Sequence, residues 1–209
     1  AKVIAVSKIV RDITEQKQAE ARLQEQLVRL NLLNHITRAI GDRQNLQGIF
    51  QVVLHSLEEQ LKIDFSCICL YDSTANALTV ASLGLLSGSL ATDMTLPAKS
   101  VIDIGEGGLV KCTSGQLVYE PDISKVPFPF MQRLAISGMR SLVAAPLLVD
   151  GRLFGVLFVA RWKDHSFSSA DCEFLLQLSE HVAIAAHQVQ LYSALQQAYD
   201  DLRLSQQAV

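Results

Sequence analysis

Apolar residues recur along this chain at more than one spacing, and each spacing predicts a different element. Near the C-terminus, Phe174, Leu178, His181, Ala185, Gln188, Tyr192, Leu195, Tyr199 and Leu202 stand at alternating steps of four and three. This is the heptad seam of a helix that pairs with another helix, and it runs almost to Val209 without a stop signal. Leu23, Leu27, Leu30, Asn34 and Thr37 repeat the spacing in a helix predicted from Thr14, its N-cap, to Ile40, with Glu15 in the first turn and Gly41-Asp42 as the stop. Inside that helix the apolar positions shift to Leu30, Leu33, Ile36 and Ile40, as expected where a helix leaves a partner helix and begins to lie on a core. Two seams bracketing a globular middle predict a module that passes helix geometry along, cut from a longer protein.

Between the seams the pattern is mixed. A helix over 45–61 carries Leu46, Ile49, Phe50, Val53, Leu57 and Leu61 on one face. Strands are predicted over 65–71 and 77–83, joined by Asp72-Ser73-Thr74-Ala75-Asn76, and the stretch 84–100 has no regular pattern. Ile104-Gly105-Glu106-Gly107-Gly108 opens a short helix closed at Ser114-Gly115, a strand covers 116–119, and a proline-rich loop over 121–129 leads to a helical turn through Met131 and Leu134. Strands over 141–149 and 152–161 flank Asp150-Gly151, the dipeptide of type I′ hairpin turns. Both are apolar at nearly every position, so both faces of the hairpin should be covered. Pro146 donates no ladder bond, which predicts a bulge or an edge there. Ser168 with Asp171 forms a capping box for the last helix, and Phe167 and Cys172 have the spacing of a hydrophobic staple. Residues 2–12 are rich in β-branched side chains and read as a strand without a sheet of its own.

Composition narrows the function classes. An apolar fraction of 49% supports a sizeable core, and a net charge of −3 with interleaved signs argues against nucleic acid or an anionic membrane as partner. The longest apolar runs fall short of the roughly 20 residues needed to span a bilayer. Four cysteines at neither metal nor disulfide-framework spacing point to a reduced, cytoplasmic protein.

The order of these elements resembles the GAF domain family over about residues 30–190. The resemblance rests on residues 65–72 (Phe-Ser-Cys-Ile-Cys-Leu-Tyr-Asp), 104–110 (Ile-Gly-Glu-Gly-Gly-Leu-Val), 120–124 (Glu-Pro-Asp-Ile-Ser) and most closely 141–157, the Asp-Gly hairpin with its flanks. The opening from Val10 to Glu20, with Asp12-Ile13-Thr14, resembles the exit of a PAS domain passing into a signalling helix. The resemblance implies an α/β fold of the α+β type, with a central antiparallel sheet, flanking helices and long terminal signalling helices. It implies four segments: a PAS-like remnant (1–13), a connecting helix (14–40), a sensory core (41–172) and a coiled-coil-like exit helix (173–209). The implied role is a non-catalytic sensory domain of a multidomain signalling protein, a sensor histidine kinase or a nucleotide cyclase or phosphodiesterase. It would bind a small molecule and relay its state through a homodimer of terminal helices to a C-terminal effector. Two alternatives stand beside it: a thiol-dependent reductase of the free methionine sulfoxide type, and a purely structural dimerisation module.

The candidate pocket implied on the sheet comprises Cys69, Tyr71, Cys112, Tyr119, Asp122, Phe128, Met131, Ser141, Val143 and Phe158, the strand residues chosen by alternation. A slip of one residue would invert each strand choice. The dimer seam comprises Leu23, Leu27, Leu30 and Asn34 with Leu178, His181, Ala185, Tyr192, Leu195, Tyr199 and Leu202. Bilin-binding members attach chromophore through a Cys ahead of the 141–149 strand. Here Phe128, Phe130, Met131 and Gln132 occupy that region and no Cys stands between 113 and 171, so a covalent bilin is not expected. The Asn-Lys-Phe-Asp-Glu set of cyclic-nucleotide members is not recognisable, and the cofactor stays unknown. Gly105-x-Gly107-Gly108 either cradles a phosphate or serves as a tight helix start, and without a following Lys-Ser/Thr it is no P-loop. Cys67 and Cys69 read as thiol sensors or as small core residues, with Cys112 the better reactive candidate. No metal ligand set is visible, and His55 and His181 read as surface and seam residues.

Overall fold

In the computed structural model, which describes residues 14–41, 45–87, 100–105 and 107–207, the hairpin forms at Asp150-Gly151. Both residues take positive φ, 49° and 74°, the backbone that a type I′ turn requires. The turn joins β5 (Ser141–Val149) to β6 (Arg152–Arg161), with a bulge between Leu147 and Leu148, just after Pro146. Beside β6 lies β1 (Phe65–Asp72), which continues through a tight turn into β2 (Ala77–Leu83). Two short edge strands complete an antiparallel six-stranded sheet: β3 (Val101–Asp103) against β2, and β4 (Val118–Glu120) against β5, in the order β3-β2-β1-β6-β5-β4. β3 was not predicted, since three residues carry no alternation to read. β1 approaches β6 so closely that a Cβ at Gly155 would strike the main-chain oxygen of Cys69. Only glycine permits that contact.

The helices explain why the hairpin is apolar throughout. On one sheet face lie α2 (Leu46–Gln60) and α5 (Ser169–Gln207); against the other lies the short α3 (Val110–Thr113), with α4 (Pro129–Ile136) in the same core cluster. Asn45 caps α2, its Oδ1 accepting from Gly48 N at 2.7 Å. The capping box of α5 forms as read: Ser168 Oγ accepts from Asp171 N at 3.1 Å, and Asp171 Oδ2 accepts from Ser168 N at 2.9 Å. The first helix, α1 (Thr14–Gly41), crosses the boundary between two compact units that divides the chain at His35/Ile36. The strand predicted over 2–12, most of the patternless stretch 84–100, and Glu106 lie outside the described residues.

The C-terminal seam requires correction. Phe174 and Leu178 are buried in the chain's own core, together with Leu175, Val182 and Ala186, so they cannot face a partner helix. At about 100° per residue, the exposed apolar residues Ile184, Leu191, Leu195 and Leu202 lie on the opposite side of α5, flanked by Tyr192 and Tyr199. His181 is exposed and Ala185 half-buried. The helix thus carries two apolar faces, one spent on the sheet and one open.

Candidate functional site

Strand register decides which side chains share the sheet face away from α2 and α5. Cys67 stands opposite Phe158, and Phe158 opposite Ala144, and Ala144 opposite Val118; all four belong to one buried cluster. Two residues along, Cys69 and Val156 continue the same face. Phe128, Phe130, Met131 and Leu134 close over it from α4 and the segment before it. The rings of Phe130 and Phe158 meet edge-on at 4.9 Å. Cys112, on α3, directs Sγ at the carbonyl oxygen of Ala144, 3.8 Å away. Tyr71 packs partly against the cluster, its hydroxyl donating to Asn76 Oδ1 at 2.9 Å. Of the ten predicted pocket residues, six gather here: Cys69, Tyr71, Cys112, Phe128, Met131 and Phe158.

The other four do not. Ser141 and Val143 belong to the opposite, helix-covered face, because Leu142 and Ala144 occupy this one. Ser141 Oγ instead donates to Lys163 O at 2.7 Å and lies 2.6 Å from Ser166 Oγ. Tyr119, paired with Val143, takes that same far face and meets Phe167 edge-on at 6.1 Å. A strand apolar on both sides gives alternation nothing to grip, so the choice slipped by one residue. Asp122 works locally: it caps the 3-10 turn Ile123–Lys125, accepting from Ser124 N and Oγ at 3.2 and 2.6 Å and from Lys125 Nζ at 2.8 Å. Its bonds to Lys125 and Ser124 hold its carboxyl down at about 2.

Thiol chemistry follows from burial. Cys67, Cys69 and Cys112 are fully enclosed and Cys172 is half-buried. Desolvation pushes the Cys112 thiol up to about 12. It also raises Cys69, with the neighbouring Cys67 side chain adding to the effect. A thiol held neutral is a poor nucleophile, so Cys112 is no longer the preferred reactive residue. Among the described residues, no three His, Cys, Asp or Glu side chains are grouped to hold a metal, and no helix is long and apolar enough to cross a membrane. The glycine-rich stretch makes a 3-10 turn, Gly107–Leu109, that leads straight into α3.

Two polar clusters gave no signal in the sequence. Glu58 of α2, 5% exposed, accepts from Ser66 Oγ (3.0 Å), Ser87 Oγ (3.2 Å) and Leu86 N (3.1 Å), tying α2 to β1 and to the segment leaving β2. A lone Glu among polar helix residues looks like a solvated one. Arg161, the last residue of β6, donates Nη2 to Leu61 O at 2.8 Å and Nη1 to Ser166 O at 2.6 Å. It also sits 3.5 Å from Asp171 Oδ2 and over the Phe167 ring, 4.4 Å from the centroid. Its place at a strand end resembles any solvent-facing Arg.

A family model described as "GAF domain" matches residues 45–186. The chain is 26% identical over 192 residues to the "Circadian input-output histidine kinase CikA" of Thermosynechococcus vestitus, covering 85% of this chain and 25% of that protein. It therefore spans about a quarter of that relative. Among solved structures it resembles the GAF domain from a phosphoenolpyruvate-protein phosphotransferase of Coxiella burnetii (TM-score 0.67, 19% identity, 79% of this chain and 96% of that one). It also resembles the free methionine-R-sulfoxide reductase from Neisseria meningitidis, solved in complex with its substrate (TM-score 0.64, 21% identity, 78% and 91%). At these identities the likeness is one of fold.

Proposed function

The chain belongs to the GAF domain family, and from that premise we propose that it is a non-catalytic sensory module of a multidomain signalling histidine kinase, working as a parallel homodimer through its terminal helices. The observation that carries this reading is the second apolar face of α5. Leu191, Leu195 and Leu202 are 57%, 67% and 59% exposed, and Tyr192 is 74% exposed. Leu23, Leu27 and Leu30 form a matching exposed stripe on α1, with Asn34 exposed on the same line. Stripes of this kind bury their leucines against a symmetry mate at about 1.5–3 kcal/mol per fully buried side chain, and an Asn in such a seam fixes register. Similarity to a histidine kinase supports the effector class.

In this reading residues 1–13 close a preceding PAS-like domain, 14–40 connect it, 41–172 are the sensory core and 173–209 lead to a C-terminal effector. A small molecule would be sensed on the sheet face of Cys69, Cys112, Phe128, Met131 and Phe158. The burial of three of the four thiols favours sensing over thiol-dependent reduction. Light scattering tests the core of the proposal: the parent chain is expected to be a dimer, and Leu195→Glu with Leu202→Glu a folded monomer. A parent that stays monomeric at high concentration overturns it.

A further inference from the structure

We propose that Arg161 is a conformational joint, a positioning residue through which one end of the sheet holds α2 and the exit helix α5 as a pair. The guanidinium spans two element ends with charge-assisted bonds. On one side it donates to Leu61 O, at the residue that caps α2. On the other it donates to Ser166 O and stands by Asp171, half of the capping box that starts α5. A planar fork with five donors in fixed geometry can make these bonds together; a lysine ammonium cannot. Neighbouring hydrogen bonds gather at the same corner. Asp64, just after the α2 cap, donates its N–H to Ala160 O at 3.1 Å and accepts from Trp162 N at 3.1 Å. Ser141 Oγ holds the segment ahead of α5 through Lys163 O and Ser166 Oγ.

The corner lies at the end of β6 opposite the hairpin turn and on the helix-covered side, apart from the proposed ligand face. A shift of β6 along its length would therefore reach the end of α2 and the start of α5 together, with Arg161 the side chain that bonds both. The joint bears on the relay proposed above without depending on it. Its test uses the chain alone, so it can fail while the sensory reading stands, and the reverse.

The test is site-resolved amide exchange by NMR. The amides of Asp171 and Cys172 report the start of α5, bonded to Ser168 Oγ and Ser168 O. Those of Leu61 and Asp64 report the α2 end, bonded to Leu57 O and Ala160 O. Ser168→Ala removes a cap on α5 only, and exchange at Asp171 should rise about fivefold. If Arg161 couples the two ends, the same variant also raises exchange at Leu61 and Asp64 about threefold, and this remote effect vanishes in an Arg161→Met background. Arg161→Lys, which keeps the charge, should abolish the coupling as well and serves if the methionine variant does not fold. Unchanged Leu61 and Asp64 in Ser168→Ala, coupling that survives Arg161→Lys, or a uniform rise across the whole chain would each overturn the proposal.

Discussion

Replacing Glu58 should be among the most damaging single changes in the domain. Its carboxylate receives three donors, from Ser66 Oγ, Ser87 Oγ and Leu86 N, at 3.0, 3.2 and 3.1 Å. The residue is only 5% exposed, so water does not replace what is lost. Hydrogen bonds to a charged group contribute about 1.5–3 kcal/mol each. The three are not additive, since Ser87 Oγ also accepts from Ser66 N at 2.8 Å and keeps that bond. Glu58→Ala is therefore expected to cost about 3–4 kcal/mol, at the upper end of what single substitutions do and of the kind a broken buried network produces, or roughly 10 °C in Tm for a chain of this length. Glu58→Gln keeps the shape and one acceptor but turns an NH2 group toward donors, costing about 1–2 kcal/mol. Gly84→Ala tests the same cluster from the other side, because a Cβ there would collide with Glu58 Oε1 and with Ser66 Oγ. Thermal unfolding followed by circular dichroism measures all three. A Tm for Glu58→Ala within about 2 °C of the parent, less than 1 kcal/mol for this size, would refute the claim that this carboxylate ties α2 to the sheet.

Two further predictions concern pH. Cys112 is lifted from its ordinary 9.0 to about 12, so between those values the folded chain holds a proton that the unfolded chain has lost. Stability should fall as pH rises through that window, and Cys112→Ala should flatten the slope in chemical denaturation series. Asp122 is shifted the other way, from 3.8 to about 2. Its contribution is present above 3.8 and lost as pH falls toward about 2, and Asp122→Asn should remove that part of the acid response. Cys67, Cys69 and Cys112 should stay unreactive toward a disulfide reagent until the protein unfolds, while Cys172 reacts first; rapid native labelling of Cys112 would contradict its burial.

Much of the fold could be read from the sequence wherever local chemistry is decisive. Asp150-Gly151 identifies its hairpin through turn geometry, and Ser168 with Asp171 marks the start of α5 through the capping box. Both signals reside in two to four residues and survive any tertiary context. The pocket residues depend instead on which way a strand faces. In β5 both faces are apolar, so Ser141, the one polar side chain, was read as lining a pocket when it is pinned to Lys163 and Ser166 on the other side. The α5 seam failed in a related way: Phe174 and Leu178 fit a heptad, yet the sheet claims them, and the open stripe begins less than two turns after Leu178, at Ile184. Arg161 and Glu58 were invisible because their partners, among them the carbonyl of Leu61, the amide of Leu86 and the hydroxyl of Ser87, meet them only through the fold and leave no periodic or motif signal.

The pairing of β1 with β6 has a consequence for the chain during synthesis. Phe65 finds its partner in Ala160, and Cys69 in Val156, so the centre of the sheet closes only when almost the whole domain has left the ribosome. Until then the β1–β2 hairpin waits with an apolar strand edge unpaired, the kind of surface that recruits other chains. A translation product stopped anywhere before β6 would carry that open edge permanently. For this fold, completing the last hairpin and leaving the risk of misassembly are one event, placed late in the life of the nascent chain.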